Sequence, residues 1–342
     1  MEGNSMKAHA LWLASPRHIE ARAEELDSPG PDQVLIRSRL SGISHGTEML
    51  VYRGQVPRDL PLDLPTLAGS FAFPIKYGYA SFGEVEAVGA NVEALHPGDL
   101  VFTLHPHQDR YVVPATLPVR LPEGTAAEAA VFFANLETAV NVLLDTGIRF
   151  GVNVVIFGQG VVGQLITMLA RRSGASQVFA VDPIAQRREQ ALGSGADAVF
   201  PPDGDLAGRI RELTGGRGAD VVIEVSGAPA ALQQALDSVA TQGTVVVASW
   251  YGTKPVSLQL GGAFHRGRVR VISSQVGMID PALGSRWDYA RRRELTVSLL
   301  AELPLAGLIT HRVPFSQAAD AYRLVDTQSE QVLQVILDYG EA

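Results

Sequence analysis

Residues 152–163 read Val-Asn-Val-Val-Ile-Phe-Gly-Gln-Gly-Val-Val-Gly, and this stretch decides the fold. Its apolar run 154–157 predicts a parallel strand that is buried on both faces. Residues 164–173 then predict a helix, whose first amides and positive dipole end attract phosphate groups. A second apolar strand is predicted at 177–181, and Asp182 follows it, placed to accept a hydrogen bond from a ribose hydroxyl. This order of elements predicts a dinucleotide-binding unit.

Three glycines in the turn have separate physical roles. Gly158 permits the tight turn, Gly160 lets the backbone approach a pyrophosphate, and Gly163 lets the helix pack closely on the strand. A glycine-rich turn of another α/β protein is the alternative, but the flanking strand, helix and acid favour the nucleotide site. The predicted cofactor contacts in the turn are Gly158, Gln159, Gly160, Val161, Val162 and Gly163.

Composition limits the classes of function. The chain has 342 residues, which favours two domains, and its net charge of −8 argues against a nucleic-acid surface. It contains no cysteine, so disulfides, thiolate metal ligands and thiol nucleophiles are excluded. Residues 152–170 carry no charge, but the glycines divide them into strand, turn and helix, so we expect no membrane span. We therefore expect a cytoplasmic protein that acts on a small molecule, with no nucleic-acid or membrane partner. Residues 1–5 are interpreted as an extension before Met6.

The pattern along the chain predicts a discontinuous organisation. Residues 6–125 are rich in prolines, turns and short strands, which indicates a β-rich unit. A helix at 126–144 follows, and strands and helices then alternate, which is typical of a doubly wound parallel sheet. A closing strand is predicted at 331–337. We expect a catalytic domain built from 1–134 and 276–342, with a Rossmann domain of 135–275 inserted in it.

Short motifs spread over nearly the whole chain carry a family resemblance. They are Ser41-Gly42-Ile43-Ser44, the segment from Gly78 to Gly89, His96-Pro97-Gly98-Asp99, Glu137-Thr138-Ala139, the nucleotide turn, and Ile309-Thr310-His311-Arg312-Val313-Pro314-Phe315. With them the chain resembles the medium-chain dehydrogenase/reductase superfamily, which includes zinc alcohol dehydrogenases and quinone reductases. The resemblance implies a GroES-like catalytic domain. Ser44-His45-Gly46-Thr47-Glu48 is also similar to the bacteriochlorophyllide dehydrogenase subgroup.

The chain departs from that family at the positions of the catalytic zinc ligands. The resemblance places the three ligands at Ser44, Tyr79 and Ala134, where relatives have cysteine, histidine and cysteine. Catalytic zinc needs three nitrogen, sulfur or oxygen side chains and an open position. The family's proton relay also uses a hydroxyl at a position that is Gly46 here. We expect no zinc.

A hydrogen-bond donor would then have to replace the metal as the group that stabilises charge on the substrate oxygen. Tyr79 is the first candidate, and Ser44 could assist it; the alternatives are a tyrosine that fills the vacated volume and a serine that packs under the cofactor. His45 matches a position that touches the pyrophosphate in relatives. Thr47 and Glu48 lie near the relay position, and Glu48 is a candidate base or else part of a structural ion pair.

Other candidates come from the helix at 126–144 and from the carboxyl ends of the predicted strands, beyond which ligands bind in parallel sheets. Trp250 is interpreted either as a roof over a flat substrate or as a core tryptophan. The predicted cofactor contacts outside the turn are Asp182, Thr138, Ser226, Ala248, Ser249 and Trp250.

Arginines are concentrated late in this acidic chain. An arginine fork can bind a carboxylate or phosphate, so His265, Arg266, Arg286 and Trp287 join Thr47 and Trp250 as substrate candidates. The run 291–293 is interpreted as a solvated face or a subunit contact. His105 and His107, with Asp109 nearby, have a spacing that suggests a metal, but a polar surface loop is the favoured interpretation.

These observations predict a zinc-independent oxidoreductase that interconverts a secondary alcohol and a ketone on a polar, cyclic or anionic molecule. NAD(H) is favoured over NADP(H), because Asp182 would repel a 2′-phosphate, although Arg187 and Arg188 partly offset that charge. One alternative is an enoyl or quinone reductase that adds hydride to a C=C bond. Another is a non-catalytic dinucleotide-binding regulator. We expect a homodimer or homotetramer.

Overall fold

The computed structural model describes residues 5–62 and 64–340. Apart from Ser5, the suggested extension at residues 1–5 lies outside the described residues, as does the end of the expected catalytic domain, 341–342. The chain divides into two compact units, a catalytic unit of 1–134 with 297–342 and a nucleotide unit of 135–296.

The regular elements of the catalytic unit's first segment are mostly strands, as predicted for a β-rich unit. Its elements are β1 (Met6–Ser15), β2 (His18–Leu26), β3 (Gln33–Ile43), α1 (Thr47–Tyr52), β4 (Ser81–Val88), β5 (Leu100–Thr103), β6 (Arg110–Pro114), β7 (Val119–Arg120) and α2 (Ala127–Ala130). The short helix α1 was not anticipated from the sequence. It forms because its residues 48–52 are all buried, so that tertiary packing compensates for its short length.

Strands and helices alternate through the nucleotide unit. The elements from here are α3 (Phe133–Thr146), β8 (Asn153–Phe157), α4 (Val161–Ala170), β9 (Gln177–Val181), α5 (Ala185–Gly193), β10 (Ala198–Phe200), α6 (Leu206–Leu213), β11 (Ala219–Glu224), α7 (Pro229–Ser238), β12 (Val239–Val247), α8 (Ala263–Arg266), β13 (Arg270–Ser273) and α9 (Tyr289–Glu302). Among the described residues the sheet order is β10-β9-β8-β11-β12-β13, with every neighbouring pair parallel. The predicted doubly wound parallel sheet is confirmed, and its order reverses between β8 and β11.

The end of the chain joins the sheet of the first segment. It contains β14 (Ile309–Pro314), α10 (Ala318–Thr327) and β15 (Gln334–Asp338). Strand β15 pairs antiparallel with β3, and β14 pairs parallel with β15. In the part of the chain that the structure describes, this sheet has the order β14-β15-β3-β4-β5-β7, and β6 also pairs with β3. The predicted GroES-like, β-rich architecture is therefore present.

The second boundary between the units differs from the one expected at residue 276. Residues up to Thr296 belong to the nucleotide unit. Arg292 explains part of this difference: its side chain is buried and donates to Asn141 Oδ1 at 2.5 Å and to Glu137 Oε1 at 3.2 Å. The interpretation of 291–293 as a solvated face is therefore wrong for Arg292, since its guanidinium holds the start of α9 against α3.

Candidate functional site

Ser44 and Tyr79 meet because strand β3 ends beside the start of its neighbour, strand β4. In the antiparallel pair β3 and β4, Ser41 lies opposite Ser81. The chain after β3 and the chain before β4 therefore lie side by side. The Tyr79 hydroxyl donates to Ser44 Oγ at 2.5 Å, and both side chains are partly exposed. Two residues that the sequence singled out separately thus form one hydrogen-bonded pair.

The environment of Tyr79 keeps its hydroxyl protonated. Desolvation raises the pKa of Tyr79 to about 12, although hydrogen bonding to Ser44 and Thr47 acts in the opposite direction. The negative charge of Glu48 raises the pKa further. At neutral pH the phenol is therefore a hydrogen-bond donor, and the Ser44 hydroxyl that accepts from it keeps its own hydrogen for another acceptor.

Glu48 lies in the first turn of α1 and is 0% exposed. One carboxylate oxygen accepts from the backbone N–H of Ser44 at 3.0 Å. The other oxygen accepts from His107 Nε2 at 2.8 Å and from the Tyr322 hydroxyl. A carboxylate so enclosed and so occupied is not placed to take a proton from a substrate. Of the two interpretations of Glu48, the structure therefore favours a structural pair over a base, because the side chain is buried and both of its oxygens have partners.

The interpretation of His105 and His107 as a polar surface loop is wrong, because both side chains are buried. His105 stacks on the Tyr111 ring with centroids 3.7 Å apart, and burial lowers the pKa of His105 to about 3. His107 points instead at Glu48. Asp109 accepts from the backbone N–H of His9 at 2.8 Å. The three side chains thus have separate partners, and within the described ranges no group of three or more histidine, aspartate or glutamate side chains converges as a metal site.

The residues at the positions of the family's catalytic zinc do not fit that metal. Ser44 and Tyr79 present neutral hydroxyls that bond to each other, and Ala134 presents a buried methyl group. Zinc sites use thiolate, imidazole or carboxylate donors. The side chains at these positions therefore do not fit a zinc ion, and no step of the reaction is assigned to one.

The turn after β8 fits a bound dinucleotide. Gly158 has a φ of +95°, and a Cβ there would lie 2.6 Å from the Cα of Ser226. A Cβ on Gly163 would lie 1.9 Å from the Gly158 carbonyl oxygen. Gly160, the N-cap of α4, differs, because a Cβ there would meet no atom within 4 Å among the described residues. The turn thus needs two of its glycines for the fold and leaves the third facing open space at a helix N-terminus, where phosphates bind.

Asp182 is almost fully buried at the end of β9. Its Oδ2 accepts from the backbone N–H of Gln159 at 2.7 Å, and its Oδ1 accepts from that of Ile184 at 2.8 Å. The carboxylate therefore also fixes the nucleotide turn, a role that the sequence did not reveal. Arg188 donates to the Asp182 carbonyl oxygen at 2.8 Å. Burial lowers the pKa of Arg187, and the charge of Asp182 opposes that shift.

A second network lies where β11 and β12 end. Glu224 is 0% exposed, and its Oε1 accepts from both the backbone N–H and the hydroxyl of Ser226, at 2.8 and 2.5 Å. Its Oε2 accepts from the Tyr251 hydroxyl at 2.6 Å, and burial and this bond raise the pKa of Tyr251. Ser249 Oγ accepts from the N–H of Gly227 at 2.8 Å. Glu224 and Tyr251 were not among the residues predicted from the sequence. The signal that could have indicated Glu224 is its position as a lone acid in the apolar strand Val221 to Val225.

Four of the sequence-predicted substrate residues are exposed, all of them in the nucleotide unit. Trp250 is 37% exposed and is not a core tryptophan. His265 and Arg266 are exposed on α8, and Arg286 is exposed before α9, where Arg291 lies over the Trp287 ring at 4.3 Å. The roles of these residues stay predictions, as do those of His45, Thr47, Thr138, Ala248 and Ser249.

Across the described residues, no helix has the length and apolar character needed to cross a membrane.

Comparison with known protein families gives two matches. Residues 30–139 match the alcohol dehydrogenase GroES-like domain, and residues 161–288 match the zinc-binding dehydrogenase family. D-guloside 3-dehydrogenase of Escherichia coli K12 is 30% identical, over 89% of this chain and 92% of that protein. The 2-desacetyl-2-hydroxyethyl bacteriochlorophyllide A dehydrogenase of Cereibacter sphaeroides is 28% identical, over 98% of this chain and 99% of that protein.

Solved structures have the same fold at lower identity. An alcohol dehydrogenase from E. coli CFT073 in complex with NADH has a TM-score of 0.80 at 20% identity, over 97% of this chain and 99% of that one. A zinc-binding dehydrogenase from Sinorhizobium meliloti 1021 bound to NADP has a TM-score of 0.80 at 22% identity, with the same coverage.

Proposed function

Because the chain belongs to the medium-chain dehydrogenase/reductase superfamily of oxidoreductases, we propose that it interconverts a secondary alcohol and a ketone on a polar small molecule, with NAD(H) and without zinc. The observation that carries the proposal is the hydrogen bond from Tyr79 to Ser44. These residues stand where the resemblance implies two zinc ligands. Two coupled hydroxyls take the place of the metal as the group that stabilises charge on the substrate oxygen.

The pair suits ketone reduction. As hydride reaches the carbonyl carbon, negative charge develops on the oxygen and the Ser44 hydroxyl donates to it. Ser44 takes the Tyr79 proton in turn, along the 2.5 Å hydrogen bond that already joins them. Tyr79, with its pKa of about 12, is a stronger acid than an aliphatic alcohol, so transfer toward the developing alkoxide is downhill. The Tyr79 phenolate that this leaves takes a proton from water, which restores the donor, and alcohol oxidation follows both steps in reverse.

The nucleotide unit supports a dinucleotide cofactor, which supplies or accepts the hydride when bound. Gly160 faces open space at the N-terminus of α4, so the helix amides are accessible to a pyrophosphate. We propose that Asp182 accepts hydrogen bonds from the adenosine ribose through lone pairs that Gln159 and Ile184 leave. Its charge disfavours a 2′-phosphate, which makes NAD(H) the preferred cofactor.

The names of the relatives and the charges of the chain support a proposal for the substrate class. The names of the relatives include a D-guloside dehydrogenase and a butanediol dehydrogenase, both of which indicate hydroxylated substrates. We propose a polar hydroxyketone, cyclic or anionic, with the exposed Arg266 and Arg286 as candidates for binding an anionic group.

The experiment is a survey of NADH oxidation by the purified protein. The test carbonyls are open-chain hydroxyketones, sugar-derived ketones, enones and quinones, each measured with and without a strong chelator, and the zinc content is measured in parallel. We expect turnover with at least one hydroxyketone, no effect of the chelator and no stoichiometric zinc. Turnover of enones or quinones alone would assign the chain to the enoyl or quinone reductases. One zinc per chain, with activity lost on its removal, would overturn the zinc-independent mechanism. NADH binding without turnover of any carbonyl would favour the regulator.

A further inference from the structure

A buried pair of side chains contacts Ser44 and the residue before Tyr79. Glu48 and His107 are each 0% exposed and are joined by the 2.8 Å hydrogen bond from His107 Nε2 to the carboxylate. On one side, the Glu48 carboxylate accepts from the backbone N–H of Ser44. The position of Ser44 is therefore tied to that of the carboxylate.

On the other side, the His107 ring lies against the residue before Tyr79. A Cβ added to Gly78 would lie 2.9 Å from His107 Cδ2 and 3.0 Å from His107 Nε2. Gly78 also has a φ of +141°, which disfavours any other residue. The imidazole thus fills the space beside this backbone, and a displaced ring would let the segment that carries Tyr79 move.

The far side of the imidazole is fixed as well. His107 Nδ1 lies 2.7 Å from Ser41 Oγ, and Ser41 Oγ lies 2.9 Å from the Tyr339 hydroxyl. The Tyr322 ring meets the imidazole edge to face, at 6.1 Å between centroids, and the Tyr322 hydroxyl donates to Glu48. Ser41 of β3 therefore holds one nitrogen of the imidazole, and Glu48 holds the other.

We propose that His107 is a positioning residue of the reaction: held by Glu48 and Ser41, it sets the relative placement of Ser44 and Tyr79. The inference rests on the proposed function, because it assumes that the two hydroxyls act on the substrate oxygen. His107 itself touches no substrate. Its contribution is to keep the donor pair in one geometry, and catalysis is sensitive to displacements of about 1 Å, which can cost on the order of 10²-fold in rate.

A double-mutant cycle tests this. His107→Leu should lower kcat for ketone reduction by about 10²-fold and leave the Kd for NADH within about twofold, because the nucleotide unit is untouched. His107→Gln, whose amide can still donate to Glu48, should recover about tenfold of that loss. In a Tyr79→Phe background His107→Leu should change kcat by less than about threefold, because positioning has no effect once the donor is gone.

The matched control is His105→Leu. His105 is also buried, two positions away, but it stacks on Tyr111 and has a different partner from His107. We expect kcat within about threefold of the unmodified protein. If His107→Leu does not fold, Ser41→Ala replaces it in the double-mutant cycle, since it removes only the hydroxyl beside His107 Nδ1. A loss of about tenfold in kcat that is absent in the Tyr79→Phe background supports the proposal.

The failures are distinguishable. If Tyr79→Phe alone turns over normally, the proposed donor is wrong, whatever the histidine variants do. If Tyr79→Phe is slow but the losses from His107→Leu, or from Ser41→Ala where that variant replaces it, multiply with that of Tyr79→Phe, the donor stands and the positioning role is overturned.

Discussion

Tyr79→Phe removes one hydroxyl and keeps the ring with its packing. That hydroxyl donates the 2.5 Å hydrogen bond to Ser44, and its pKa of about 12 keeps it protonated over the working range of pH. A positioned acid contributes about 10²–10⁴-fold to a rate, which corresponds to about 2.7–5.4 kcal/mol in the transition state. The loss of one neutral hydrogen bond costs about 0.5–1.5 kcal/mol of stability. The kinetic loss should therefore exceed the loss of stability.

The assay is steady-state reduction of the best carbonyl substrate with NADH, together with thermal unfolding and NADH titration. We expect kcat and kcat/KM to fall together by about 10²-fold or more, the mark of an interaction made mainly in the transition state. The melting temperature should fall by only about 2 °C, and the Kd for NADH should not change. Ser44→Ala should lower kcat by a comparable factor. The double variant should be little slower than either single variant, because the two hydroxyls act as one unit. Near-normal turnover in Tyr79→Phe would refute the reasoning and leave the tyrosine as filler.

Three further predictions test the nucleotide unit and the buried histidine. If Asp182 accepts charged hydrogen bonds from the ribose, as proposed, NADH should bind more tightly than NADPH by about tenfold or more; equal affinities in a fluorescence titration would contradict this. Gly160→Ala should leave the melting temperature unchanged but weaken NADH binding by about tenfold or more, because its Cβ projects into open space at the α4 N-terminus. The matched Gly193→Ala, whose Cβ also meets no atom of the described residues within 4 Å, should leave both properties unchanged, and an equal loss of NADH affinity there would remove the argument. Finally, burial lowers the pKa of His105 to about 3, so the unfolded chain takes up a proton below about pH 6.5 and the folded protein does not. The contribution of neutral His105 to the free energy of unfolding is therefore present above that pH and falls by about 1.4 kcal/mol between about pH 7.5 and 5.5. In denaturant unfolding His105→Leu should lack this loss. An identical pH dependence of the two proteins would show that His105 is not buried in its neutral form.

The sequence by itself determined the nucleotide unit. Its signals are local, because one strand, one glycine turn and one helix lie within 18 successive residues, and strand periodicity and glycine geometry act over that range. The bounds predicted for β9 agree with the structure, and Asp182 directly follows β9 as expected. The closing strand predicted at 331–337 is also present, as β15 (Gln334–Asp338).

Only the tertiary structure decided the arrangement of the candidate site. Glu48 and His107 are 59 positions apart, and nothing local to either residue indicates that the two pair in the interior. The same holds for Tyr79 and Ser44, 35 positions apart, which the register of β3 against β4 brings together. A polar residue's role depends on what the fold places beside it, since burial without a partner is costly and burial with one fixes geometry. For this reason a histidine expected on a surface loop is buried, and a glutamate that the sequence left open as a base or as part of a structural pair has buried partners on both oxygens.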